Sequence, residues 1–118
     1  MSFTFDEYQK HAARTGGNDL LPENRDKGLN CAALGLPGES GEFADLVKKI
    51  QHHGIAFDIT VETKLRKELG DILWYIAHAC NVMGWGMEEV ALANVAKLKL
   101  RYPEGFSTAA SIAKADEK

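Results

Sequence analysis

The stretch TVETKLRKELGDILWYIAHACNVM, residues 60–83, decides the fold. With successive residues about 100° apart, as on an α-helix, Leu65, Leu69, Ile72, Ile76 and Met83 fall on one arc. Gly70 is the single glycine in the run, and no proline interrupts it. The segment predicts a helix from a Thr60 cap to Met83, closed by Gly84-Trp85-Gly86. Two acids, Glu68 and Asp71, sit beside the apolar arc rather than opposite it.

The same periodicity extends outward. Thr4 and Glu7 have the spacing of a capping box and open a first helix that runs to Arg14. A polar stretch from Gly16 to Gly28 reads as loop. A second helix is expected from Asn30 or Leu36 to Gln51, with Gly54 ending it. Leu36, Phe43, Val47 and Ile50 form its apolar arc, and Glu39 and Glu42 flank that arc. Ile55-Ala56-Phe57-Asp58-Ile59 alternates like a strand, but a lone strand has no partner, so it reads as a connection. Met87 to Tyr102 is a fourth helix, stopped by Pro103 and Gly105. The expected fold is all-α, a compact four-helix bundle over residues 1–106, completed by oligomerisation. Residues 107–118 form a polar tail, a weak helix or disordered.

Composition narrows the function. A chain of 118 residues that is 45% hydrophobic supports one folded domain with a real core. A net charge of −3 argues against binding a nucleic-acid polymer or an anionic membrane, each of which needs clustered positive charge. No run approaches the roughly 18 apolar residues of a membrane span, and the opening residues lack a signal peptide's pattern. The expected location is the cytoplasm. Cys31 and Cys80 lie far apart without metal-type spacing and read as reduced core residues.

Position says more than sum. Glu39 and Glu42 share one helix face, and Glu68 and Asp71 share another, because residues three apart are neighbours on a helix. If the two helices pack antiparallel, four carboxylates converge at the edge of the core. Such a group is costly to bury ionised without a cation, and an all-oxygen ligand set suits Mg²⁺, Mn²⁺ or Ca²⁺. These ions in turn suit phosphate-bearing substrates. Gly41 and Gly70 beside the acids suggest close helix approach or room for a ligand. On the fourth helix Asn94, Lys97 and Arg101 share a face that would meet phosphates. The plainer alternatives are solvated acidic faces and a cationic stripe that complements a helix C-terminus. A di-iron bundle is disfavoured because neither acid pair has the Glu-x-x-His form. Gly35 to Gly41 is no P-loop, lacking the Gly-Lys-Ser/Thr ending. A non-catalytic helical binding or oligomerisation module with an acidic groove stands as the rival reading.

Gly35 to Glu42, Lys67 to Tyr75 and Asn94 to Pro103 together resemble the MazG-like all-α nucleoside triphosphate pyrophosphohydrolases. The likeness runs from about Leu34 to Phe106, and 25 residues separate E-x-x-E from E-x-x-D. It implies metal-dependent hydrolysis of a (d)NTP to a (d)NMP and pyrophosphate, with Mg²⁺ or Mn²⁺ as cofactor. By the same resemblance Glu39, Glu42, Glu68 and Asp71 would be the catalytic metal ligands, one second-helix acid serving the attacking water. Asn94, Lys97 and Arg101 would hold the phosphates. Tyr75, four residues past Asp71, would stack on the base, with Asn30 and Gln9 as further base-binding candidates. Phe5, Tyr8, His11, Asn18 and Lys27 match more loosely. Trp74, Trp85 and His78 read as packing or interface residues. The family likeness also implies a homodimer or homotetramer. House-cleaning of damaged dNTPs, dUTP or dCTP control, and viral removal of dGTP are all compatible roles.

Overall fold

The computed structural model describes residues 2–118, and the described residues form five α-helices and no strands. They are α1 (Phe5–Ala13), α2 (Arg25–His52), α3 (Ile59–Met83), α4 (Met87–Arg101) and α5 (Thr108–Ala113). None is long and apolar enough to cross a membrane. Caps explain most boundaries. The Glu7 amide donates to Thr4 Oγ1 at 3.1 Å, which fixes the start of α1. Gly84, with φ 73°, closes α3 in the left-handed conformation that glycine adopts without strain.

Two boundaries differ from the sequence expectation. Helix α3 is capped by Asp58, not Thr60: the Val61 amide donates to Asp58 Oδ1 at 3.0 Å, so helix begins at Ile59. Asp58 is extended and supplies a carboxylate acceptor, whereas Thr60 already lies inside the first turn. Helix α2 starts at Arg25, well before Asn30. Pro22 opens a 3-10 turn at 22–24 that leads directly into it, so the polar stretch is largely helical, with a second 3-10 turn at Gly17–Leu20. Pro37 lies inside α2 and has no N–H for the Ala33 carbonyl, yet the helix continues through it. Residues 107–118 fold into α5 and a 3-10 turn, Ala115–Glu117, packed chiefly on α4.

The largest interface is between α2 and α3, a helical hairpin joined by residues 53–58. Helix α1 lies across α3, where Ala12, Ala77, Cys80 and Met87 form the buried centre with Tyr8, Leu73, Trp74 and Ile76 around it. Most of the expected apolar arc is only half-buried, and Leu69 is 51% exposed. Cys80 is buried as expected, but Cys31 is exposed; both are free.

Glycines divide into two kinds. A methyl group at Gly41 or Gly70 would meet nothing within 4 Å, so these positions leave room rather than permit close helix approach. The close approach is at Gly35, where a methyl would overlap the Tyr75 ring. Gly35→Ala is therefore expected to destabilise by about 1–3 kcal/mol through overpacking. Gly41→Ala should stabilise by roughly 0.5–1 kcal/mol through helix propensity. Paired urea melts measure both, and equal shifts in the two variants would contradict the assignment.

Candidate active site

The E-x-x-E of α2 and the E-x-x-D of α3 meet across the hairpin. One carboxylate oxygen from each of Glu39, Glu42 and Glu68 lies within 4.8 Å of the others. With the Glu39 and Glu68 oxygens this close, their like charges oppose joint ionisation. The Glu68 carboxyl is accordingly pushed up to about 7. Burial is the main cause, followed by the neighbouring Glu39 carboxyl and the charges of Glu42 and Asp71. Oε2 of Glu39 and Oε2 of Glu68 are both buried without a hydrogen-bond partner. Orphaned acceptors, an oxygen-only donor set and excess negative charge fit a hard divalent cation, which would replace a proton on Glu68.

Asp71 stands apart from this trio. It is exposed, contributes the smallest push on Glu68, and its charge also acts on Tyr8 of α1. Beside the trio opens a groove of about 580 Å³, lined by Gly38, Gly41, Glu42 and Glu68 among others. Two cations line it that the sequence reading did not single out, Lys49 and Lys64. Lys49 is paired with Asp45 at 2.9 Å, while Lys64 is in no ion pair among the described residues. Their spacing was a usable signal: Lys64 precedes Glu68 by four residues and Lys49 follows Glu42 by seven, both same-face intervals.

The base-binding candidates are scattered. The Tyr75 ring is half-buried, packed on Gly35 and edge-on to Trp74 with centroids 5.0 Å apart. Asn30 is exposed on α2, nine residues or about 13 Å before Glu39 along the helix axis. Gln9 is held by the fold itself. Its Nε2 donates to the Trp85 carbonyl and its Oε1 accepts from the Met87 amide, each at 2.7 Å. The side chain thereby caps α4 and ties α1 to the α3–α4 turn, which leaves its amide committed. A separate apolar cleft of about 400 Å³ lies between α1 and α3, lined by Phe3, Phe5, Tyr8 and Leu73.

The phosphate candidates lie on α4, which packs chiefly against α1 and the 115–117 turn. None of Asn94, Lys97 and Arg101 lines the acidic groove of the same protomer. Asn94 and Lys97 are exposed. Arg101 is occupied: Nε donates to Asp116 Oδ1, and Nη2 donates to Asp116 Oδ2 at 3.1 Å and to Glu117 Oε1 at 3.2 Å.

A second cluster, Asp19, Cys31 and His78, also brings metal-type ligand atoms within 4.8 Å of one another. Its hydrogen bonding marks it as a clasp. His78, 1% exposed and stacked on Trp74, places Nε2 3.0 Å from Asp19 Oδ2, so the ionised carboxylate assigns the ring proton to Nε2. The Cys31 sulfur lies within 4.8 Å of the same carboxyl, and the His78 hydrogen bond is the main cause holding Asp19 below its usual range. His78 Nδ1 is buried without a partner. A metal on Nε2 would move the proton there and leave a buried N–H with no acceptor, whereas ligating histidines donate that hydrogen. The clasp instead pins the 17–20 turn to α3, and His78 is the packed residue that its position suggested.

The structure is thus an all-α protein whose helical hairpin gathers three carboxylates, from Glu39, Glu42 and Glu68. This chain belongs to the MazG nucleotide pyrophosphohydrolase family, whose domain matches residues 30–106. It is similar to the Gene 37 protein of Mycobacterium phage L5, 39% identical over 83 residues that cover 67% of this chain and 70% of the phage protein. No solved structure matches it.

Proposed function

We propose that the protein hydrolyses a (d)NTP to the (d)NMP and pyrophosphate with Mg²⁺ or Mn²⁺ held by Glu39, Glu42, Glu68 and Asp71. The observation that carries this reading is the carboxylate trio with its two orphaned buried oxygens. A bound divalent cation would neutralise charge on the phosphate and acidify a bound water. Glu68, whose carboxyl is pushed up to about 7, would give up its proton as the cation is held. Water attacks the α-phosphorus, the α–β anhydride bond breaks, pyrophosphate leaves, and an acid of α2 takes the water's proton. Lys64 and Lys49 offer positive charge at the hairpin-loop end of the groove, which a purely acidic docking groove would not need. Tyr75 meets the base toward the opposite end.

A homodimer or homotetramer is part of the proposal. The radius of gyration is 17.5 Å, against about 13.5 Å for a compact chain of this length. Val90, Val95, Leu98 and Leu100 of α4 are exposed apolar side chains that a second copy would cover. A neighbour would also bring Asn94, Lys97 and Arg101 to a groove they do not line in their own protomer. Light scattering is expected to give a dimer or tetramer; a stable monomer at micromolar concentration would contradict this.

A role in remodelling or cleaning a deoxynucleotide pool belongs to the same proposal. Pyrophosphate release across the common dNTPs and NTPs, with Mg²⁺ and with Mn²⁺, tests the activity and identifies the base. Release from none of them would overturn the reading.

A further inference from the structure

Arg101 reaches its ion pairs from the last turn of α4, and the chain must double back to supply the acids. Pro103 and Gly105, the latter at φ 86°, turn it away from α4. Ser107 then caps α5 by accepting from the Ala110 amide at 3.0 Å. Six helical residues later Lys114 adopts φ 47° and ψ 55°, a left-handed conformation unfavourable for a residue with a Cβ. That turn delivers Asp116 and Glu117 to the guanidinium. The Asp116 contact is two-pronged, the fork geometry by which arginine also grips phosphate. Both partners are withdrawn from solvent, the Arg101 side chain being 17% exposed and that of Asp116 7%. Lys97, one turn earlier on α4, also acts on Asp116 through its charge.

We propose that residues 114–118 are an internal competitor for the substrate's phosphates, with Asp116 and Glu117 occupying the Arg101 guanidinium until a polyphosphate displaces them. The inference rests on the assignment of Lys97 and Arg101 to phosphate binding. What holds the segment is chiefly ionic. Ile112 of α5 is 76% exposed, so little apolar surface anchors it, and it packs chiefly on α4 alone. A left-handed lysine and a thin apolar contact make release cheap. The ion pairs keep the closed arrangement populated when no anion competes. Any affinity measured for a phosphate ligand is then lowered by the fraction of molecules in which Arg101 is closed off.

Calorimetric titration of the full-length protein with inorganic triphosphate in the presence of Mg²⁺ reads this directly, independent of turnover. The Asp116→Asn/Glu117→Gln double variant is expected to bind triphosphate at least about threefold more tightly than the wild type. Asp116→Asn alone should give a smaller gain in the same direction. Far-UV circular dichroism checks that α1 to α4 remain folded. Unchanged or weaker binding in the folded variants would overturn the proposal and make Asp116 a support for Arg101. Arg101→Ala in the wild-type background separates the two levels. If it leaves triphosphate affinity unchanged, the phosphate assignment itself fails. If it weakens binding while the acid variants bring no gain, only the competitor role fails.

Discussion

Glu42→Gln is expected to cut pyrophosphate release by about 10²–10³-fold, the usual cost of losing one preorganised electrostatic group at a reacting centre. The substitution keeps the side chain's shape and removes one charge. Glu42 is exposed, so the helix hairpin does not depend on it and the melting temperature should barely move. Its charge does bear on the chemistry: it stands in the trio with Glu39 and Glu68 and is one of the groups raising Glu68. Asp71→Asn tests the fourth acid, which lies outside the trio. A large loss in both variants supports a four-acid site, and a loss in Glu42→Gln alone confines it to three. Unchanged turnover in both, with the fold intact, would sink the enzymatic assignment of these carboxylates.

How much of this was legible beforehand depends on whether the cause was local. The acid pairs were readable because a three-residue interval fixes a helix face whatever lies opposite. The cap of α3 was misplaced by two residues because Asp58 and Thr60 are both good cap residues; only the extended backbone at Asp58 selects between them. The start of α2 was missed because Arg25 to Leu29 shows no apolar repeat, and its helicity follows from the Pro22 turn and from packing near Gly28. A Cβ at Gly28 would lie 2.8 Å from the Asp19 carbonyl oxygen and from Val82 Cγ2. The glycines beside the acids left close approach and ligand room both open; Gly41 leaves space, while the close approach falls at Gly35, against Tyr75. That distinction needs the register of α2 against α3, which no helical wheel contains. The contacts of His78 with Asp19, and of Arg101 with Asp116, join residues 59 and 15 apart in sequence. Neither follows from periodicity, and the second changes what the cationic face of α4 can offer.

The metal-free protein should lose thermal stability as pH rises from about 5 to 7.5, and a divalent cation should restore it. Glu68 carries the effect. Its carboxyl has an ordinary value of 4.5 and is pushed up to about 7 in the fold, chiefly by burial. The folded state therefore holds this proton more tightly than the unfolded chain does. That contribution is fully present below pH 4.5 and is lost as pH rises through 7. Glu88, raised by its hydrogen bond to Asp6, acts with the same sign but lies away from the acidic groove, so a cation should not reverse its part. Asp19, Asp45 and Asp116 act with the opposite sign, being held low mainly by hydrogen bonds from His78, Lys49 and Arg101. Their stabilisation is lost only as pH falls below the ordinary aspartate value of 3.8, beneath the window in question. Ligand binding to the native state raises stability with the logarithm of one plus the ratio of free ligand to its dissociation constant, and here the cation competes with the Glu68 proton. Mg²⁺ or Mn²⁺ should accordingly raise the melting temperature strongly at pH 8 and hardly at pH 5. Glu68→Gln should flatten the metal-free profile and abolish most of the cation effect. A melting temperature independent of pH between 5 and 7.5, or equal stabilisation by the cation at both ends, would remove the Glu68 proton from the account of this site.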